Sequence, residues 1–296
     1  MEIEILLVCI GNFQEYILYN ITQLIELGYK INFIGEQKFF NELKDFDINL
    51  IDAAEFESFT EFDKRTWGSF KYFRQGFWVH TSKRFFLIHD YMKKYEKKNI
   101  IHLENDVLLY YNFNNMDIKF ENKLHLTMDC DTRCIPGIVY IPDYTFIEGL
   151  FEKYDYVLND MQNMSDYYNR CKNLCLTLPI IQKNIHYNSN DLLTRNQDQF
   201  EGIFDAAAIG QYLGGIDPKN INDMLAHDKF RDVSKFGPGH INNRCWVDYS
   251  KYNIIWKKNE KGYNLPYIVL DDKDIPIYNL HIHCKNLEKF TMIDYE

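Results

Sequence analysis

Two short stretches carry side chains that could do chemistry together. The first is His102-Leu103-Glu104-Asn105-Asp106, which closes the apolar run Ile100, Ile101, Leu103 with two carboxylates two residues apart. In an extended backbone residues i and i+2 point the same way. Hard oxygen ligands of this kind suit Mg²⁺ or Mn²⁺, ions that bind through one or two carboxylates plus substrate phosphates. The second stretch is Leu280-His281-Ile282-His283-Cys284-Lys285. In an extended chain His281, His283 and Lys285 share one face and Leu280, Ile282 and Cys284 the other. An imidazole beside a carboxylate makes a Mn²⁺ site, and an ammonium nearby meets the phosphate whose oxygens share the metal. Each histidine alone also reads as a polar residue on an edge strand. Taken with the two acids, the pair predicts a bipartite metal-diphosphate site, with the choice between His281 and His283 open.

The elements that must hold these residues follow the pattern of an α/β protein. Ile3 to Ile10 is a nearly continuous apolar strand that ends in Gly11-Asn12, the small-residue turn with which a nucleotide-binding α/β unit opens. A helix from Gln14 to Leu27, a strand at Ile31 to Ile34, a short helix over Lys38 to Lys44 and a strand at Ile48 to Ile51 complete a βαβαβ order, which implies a parallel sheet with right-handed crossovers. The run Ile100 to Leu103 lacks alternation, as a strand covered on both faces does. In such sheets ligands bind beyond the carboxyl ends of the strands, where Glu104 and Asp106 arrive. No G-x-G-x-x-G follows the first strand, so a dinucleotide fingerprint is absent.

Further along, Thr81 or Ser82 is read as the cap of a helix to Lys97. Lys83 and Arg84 then fall in its first turn, where positive charge opposes the macrodipole and a ligand phosphate, or solvent, would compensate. Glu55 to Val79 is rich in aromatic and basic residues, readable as a packed surface loop or as a platform for rings and phosphates. Strands are predicted at Leu124 to Met128, before Asp129-Cys130-Asp131, and at Ile138 to Ile141, introduced by Pro136-Gly137. Helices are predicted over Tyr144 to Met164 and Tyr167 to Leu176, and a loop over Asn184 to Asn196. In Phe204-Asp205-Ala206-Ala207-Ala208-Ile209-Gly210-Gln211-Tyr212-Leu213-Gly214-Gly215, Asp205 is a good N-cap and the paired glycines a good stop. Phe236 to His240 reads as a tight loop, and Tyr267 to Leu270 and Ile277 to His283 as late strands.

Composition narrows the class. The chain has 296 residues, 46% apolar and 26% charged, as a globular protein does, and one α/β domain can account for all of it. A net charge of −10 argues against a general nucleic-acid binder but not against a small phosphate ligand met by a metal and a cation or two. The amino terminus lacks a basic region and carries Glu2 and Glu4, and no segment is apolar enough to span a bilayer, so a cytoplasmic protein is expected. The seven cysteines are an odd number, which suggests free thiols. Cys130/Cys134 and Cys171/Cys175 are spaced C-x3-C, a poorer zinc pattern than C-x2-C.

On these residues the chain resembles GT-A fold glycosyltransferases. His102 to Asp106 is similar to their D-x-D motif in the variant whose first acid is Glu, and His281 to Lys285 is similar in kind to a late His and Lys used by glycogenin-like members. The Phe204–Gly215 and Leu280–Lys285 stretches also resemble bacterial and giant-virus glycosyltransferase-like proteins over most of the chain. The resemblance implies a mixed, mostly parallel sheet flanked by helices in a single domain over 1–296, with a nucleotide-binding half at 1–110 and an acceptor-binding half at 111–296. It implies a nucleotide-sugar donor, UDP favoured, a carbohydrate or other hydroxyl acceptor, and Mn²⁺ or Mg²⁺. A viral source would put the protein in the virion or host cytoplasm. Asp106 would be the direct metal ligand, Glu104 its partner toward metal or ribose, and His281 or His283 a further ligand. Gly11, Asn12, Arg84, Asn105 and Lys285 would line the nucleotide-diphosphate. Asp205 is the candidate catalytic base, with Asp129 and Asp131 as further candidates that could instead hold sugar hydroxyls. Two other classes compete: a binding protein on the same fold without turnover, and a metal-dependent nucleotidyltransferase, which Gly11-Asn12 without a nearby cation fits poorly.

Overall fold

The computed structural model describes residues 2–66, 71–182, 191–215 and 245–293. The elements are β1 (Glu4–Cys9), α1 (Ile17–Glu26), β2 (Ile31–Gly35), β3 (Asn49–Asp52), α2 (Ser58–Arg65), α3 (Phe77–Lys94), β4 (Ile100–Leu103), β5 (Val107–Leu109), β6 (Leu124–Cys130), β7 (Arg133–Ile141), α4 (Thr145–Phe151), α5 (Asp160–Arg170), β8 (Cys175–Thr177), α6 (Ile209–Gly214), β9 (Asn253–Lys258), β10 (Asn264–Leu270), β11 (Lys273–Pro276) and β12 (Asn279–His281). Seven strands form the central sheet in the order β3-β2-β1-β4-β7-β6-β8. β3, β2, β1 and β4 are parallel, β7 alone runs against its neighbours, and β8 is parallel to β6. This is the mixed, mostly parallel α/β sheet that the sequence led us to expect.

The uninterrupted apolar character of β1 has a direct cause. Ile5 and Leu7 point to the face that packs Ile17, Ile21 and Leu24 of α1, while Leu6 and Val8 point to the face that packs Phe85, Ile88 and Met92 of α3. Both faces are dry, so neither parity of residue can be polar. A third core lies under the meander β11-β10-β9, where Leu265, Ile268 and Ile275 pack on Leu280, Ile282 and Leu108. The two-stranded pair of β12 with β5 joins the late strand to the residues just after β4.

Several elements differ from the sequence reading. α3 begins at Phe77, a turn earlier than Thr81, so Arg84 sits in the body of the helix and the macrodipole argument for a compensating phosphate does not apply. The helix read over Tyr144 to Met164 is two helices, α4 and α5. The second starts with a capping box in which Asn159 accepts from the Gln162 backbone and Gln162 reaches back to Asn159. β7 starts at Arg133 and runs through Pro136, where its register against β6 shifts; a proline is tolerated there because the ladder hydrogen bond it cannot donate is already missing. Part of the loop read at Asn184 to Asn196 falls outside the described residues. So do Trp67 and Phe70, and the tight loop read at Phe236 to His240. The described remainder of 184–196 begins with a helical turn, Asp191–Thr194. Among the described residues no helix is long and apolar enough to cross a membrane.

Candidate metal and diphosphate site

β4 ends at Leu103 and the chain turns: the Val107 N–H donates to the Glu104 carbonyl at 3.0 Å, and β5 leaves in a new direction. The Glu104 N–H donates to the Gly137 carbonyl at 2.9 Å, so the irregular stretch of β7 fixes the first acid. β12 then pairs with β5 so that His281 lies opposite Val107, and the Ile282 N–H donates to the Asp106 carbonyl at 2.9 Å. These two ladders bring together residues 175 positions apart. His281 Nε2 lies 3.1 Å from Asp106 Oδ2 and 3.4 Å from Glu104 Oε2. The ligand-type atoms of Glu104, Asp106 and His281 all lie within 4.8 Å of one another, and among the described residues no cysteine joins such a group. Lys285 bonds the same Asp106 oxygen through its ammonium.

His283 is not equivalent to His281. Its ring stacks on that of His281 with centroids 4.7 Å apart, and its Nε2 lies 3.2 Å from the Ala207 carbonyl and 3.5 Å from Gln211 Nε2. Strand β12 stops at His281, so alternation along a longer strand does not carry His283 to the acids.

The electrostatics reflect crowding. Burial alone would raise the Asp106 pKa, but the adjacent His281 and Lys285 charges hold it well below the ordinary carboxylate value. Burial lowers that of His281, and the Asp106 and Glu104 carboxylates more than reverse this. His283, buried and beside His281 and Lys285, is pushed well below the imidazole value and is neutral.

The remaining residues singled out by sequence fall into three positions. At the neighbouring end of β1, the Gly11 N–H donates to Glu36 Oε1 at 2.6 Å, Lys38 donates to the Gly11 carbonyl at 3.1 Å, and Asn12 reaches Gln75 at 3.5 Å. Asn105 ties this end to the acids by donating to the Val8 carbonyl at 3.1 Å and to Gln14 at 2.7 Å. A cation, Lys38, therefore does stand beside Gly11.

Arg84 is buried beneath the acids. Its guanidinium bridges Glu104 and Asp160, with Asp160 Oδ2 at 2.7 Å, and approaches the Pro136 carbonyl at 3.4 Å. Burial raises the Asp160 pKa in spite of this contact, and the nearby Glu104 charge adds to the rise. The sequence reading assigned Arg84 to phosphate and did not mark Asp160. The signal for Asp160 was the Asn159–Gln162 cap, which the long predicted helix concealed.

Two of the three candidate bases, Asp205 and Asp129, are engaged. Asp205 is 1% exposed, and its two oxygens accept four backbone N–H bonds: Ala208 and Ile209 at 2.8 Å, Gly210 at 3.0 Å and His281 at 2.9 Å. It stands three residues before Ala208, the N-cap position of α6, accepts the first N–H groups of that helix from there, and also pins the metal-site strand. Here Gly210 is required, because a Cβ would stand 1.9 Å from the His281 carbonyl oxygen. Asp129 is buried and paired in a fork with Arg133, and Asp131 is exposed in the β6–β7 turn.

The donor set suits a hard or borderline divalent ion: two carboxylates and one imidazole, with the other ring nitrogen, His281 Nδ1, buried and without a partner among the described residues.

No protein-family model and no curated protein matches the sequence. Solved structures that overlap it in part include an active-site mutant of LgtC, at 11% identity and TM-score 0.45, covering 66% of this chain and 82% of that one. The apo-form glycosyltransferase GlyE of Streptococcus pneumoniae overlaps at 14% identity and TM-score 0.38, covering 68% of this chain and 51% of that one. A cytidylyltransferase from Leptospira borgpetersenii overlaps at 11% identity and TM-score 0.36, covering 62% of this chain and 78% of that one.

Proposed function

We propose that this protein is a metal-dependent glycosyltransferase that moves a sugar from a nucleoside-diphosphate sugar, UDP favoured, to a carbohydrate or other hydroxyl acceptor. The observation that carries the reading is the junction of His281 with Asp106 and Glu104, at 3.1 and 3.4 Å, beyond the carboxyl end of a parallel strand. Glu104, Asp106 and His281 would hold Mn²⁺ or Mg²⁺, which when bound neutralises charge on the diphosphate leaving group.

The chain's own groups have separate tasks. Lys285 is poised to exchange Asp106 for a phosphate oxygen, because an ammonium on a flexible stem can follow the stronger negative charge. Arg84 holds Glu104 from below and so fixes the direction of its free oxygen. Asn105 locks the turn to β1, where Gly11 and Asn12 would border the nucleoside. Asp205 keeps β12 in register by accepting from the His281 N–H.

One observation favours a second reading, a nucleotide-sugar-binding protein with weak or no turnover: the carboxylate that the sequence offered as base has both oxygens occupied by four N–H donors.

A thermal-shift screen of UDP- and GDP-sugars with and without Mn²⁺ tests both. A ligand at about 100 times its Kd stabilises the native state by about 2.7 kcal/mol. The expected result is a Mn²⁺-dependent shift with a UDP-sugar that Asp106→Asn abolishes. An equal shift in Asp106→Asn overturns the metal site. Mn²⁺-dependent binding with neither transfer nor slow donor hydrolysis selects the second reading.

A further inference from the structure

The segment 71–78 reads Lys-Tyr-Phe-Arg-Gln-Gly-Phe-Trp, and it turns its rings outward. Tyr72 is 76% exposed, Phe73 39% and Phe77 40%, three of the seven exposed large apolar side chains among the described residues, within six positions. Phe73 and Phe77 pack on one another. Phe73 stacks on Trp78 with centroids 5.9 Å apart, Phe77 meets Trp78 edge-on at 4.9 Å, and Trp78 is anchored against the core under α3. Arg74, Gln75 and Gly76 have φ of 45°, 59° and 88°, so two non-glycine residues take the left-handed region to keep this turn. Strain of that kind is retained where the surroundings over-determine it, and it fits a presented feature better than a slack loop.

Charge distinguishes the possible occupants. The chain carries −10 overall, yet 71–80 contains Lys71 and Arg74 and no acid, whereas in α2 Lys64 is paired with Glu61 and Arg65 donates to Tyr156. Lys71 is exposed beside Tyr72, and the Arg74 guanidinium lies over the Phe73 ring at 5.2 Å. Exposed aromatic rings interleaved with cations match an anionic phospholipid surface, where rings enter the headgroup region and basic side chains meet lipid phosphates. A second copy docking through the same patch would set Lys71 and Arg74 against like charge.

The segment also borders the site edge of the sheet. Gln75 accepts from Asn12, just past β1, and the His80 ring packs on Gly11. We propose that residues 71–78 form a docking surface for anionic membranes, which turns the carboxyl edge of the sheet, with Asp106 and His281, toward the lipid headgroups. The docking itself is independent of the glycosyltransferase reading, because binding is measured without turnover.

Co-sedimentation of the full chain with vesicles tests it. Pure phosphatidylcholine is compared with phosphatidylcholine containing about 30% phosphatidylserine. The expected result is binding to the anionic vesicles that falls severalfold between about 0.05 M and about 0.5 M salt. Phe73→Ser/Phe77→Ser should weaken it about ten-fold, and Lys71→Glu/Arg74→Glu should abolish the preference for phosphatidylserine. Circular dichroism of both variants, matched to wild type, guards against misfolding. Equal or absent pelleting with the two vesicle types overturns the proposal. So does a wild-type dimer in solution that Phe73→Ser/Phe77→Ser dissociates, which would assign the patch to self-association.

Discussion

Replacing Arg84 by Met gives the sharpest test of how the acids are held. Arg84 is 6% exposed and Asp160 2% exposed, with 2.7 Å between guanidinium and carboxylate. Met has similar reach and no charge, so the substitution removes the cation while filling most of its space. Asp160 then stays buried without its charged partner. Breaking a buried pair from one side is worth about 3–5 kcal/mol. Glu104 adds less, because its side chain is 18% exposed and can turn toward water. Asp160→Asn alone leaves Arg84 with Glu104 and should destabilise by about 1–3 kcal/mol. In the double variant neither the cation nor the Asp160 charge remains, so the two effects should be non-additive by about 1 kcal/mol or more. Urea unfolding at neutral pH reads all three, provided the m value stays constant. Mn²⁺ affinity of Arg84→Met should fall as well, since Glu104 loses its anchor. Arg84→Met within about 1 kcal/mol of wild type, or strictly additive effects, would refute the bridge.

Three further outcomes can be checked directly. Gly137→Ala would put a Cβ 3.1 Å from His281 Nδ1 and 3.6 Å from Glu104 Oε2, so the ring must shift; Mn²⁺ affinity by calorimetry should drop roughly ten-fold, and an unchanged value removes His281 from the ligand set. Asp205→Ala strands four buried N–H donors, so unfolding should show a loss of about 3 kcal/mol or more; full stability with lost turnover would instead return Asp205 to the role of base. His125 is buried, which lowers its pKa to about 4. The unfolded chain therefore binds a proton at this residue below about 6.5 that the native state refuses, and His125 contributes a fall in stability of about 1.4 kcal/mol per pH unit down to that value, beside the likewise depressed His102 and His283. His125→Phe, in a pocket of Phe120, Tyr140 and Phe200, should flatten this slope, and an unchanged slope would show that His125 titrates normally.

The sequence by itself carried the frame and both halves of the site. β1 and β4 were legible because strands covered on two faces leave no polar parity, and because a helix that covers such a sheet must repeat its apolar residues every three or four positions, as Ile17, Ile21 and Leu24 do. Glu104 and Asp106 were legible as acids at a strand end, and His281 and Lys285 as polar residues on a late strand.

Pairing between distant strands decided the rest. The ladder of β5 with β12 brings His281 and not His283 to the acids, since β12 ends there and His283 stacks behind; local alternation cannot reveal where a strand stops pairing. Arg84 proved to serve carboxylates because α3 starts four residues before its apparent cap, and Asp160 entered because α5 starts at it and sets its carboxylate 2.7 Å from the Arg84 guanidinium. Asp205 looked the same in sequence as a base or as a cap, and only the four N–H groups converging on it distinguish the two. Burial and hydrogen-bond partners arise from tertiary neighbours, and a one-dimensional pattern holds residue type and period but not the partner.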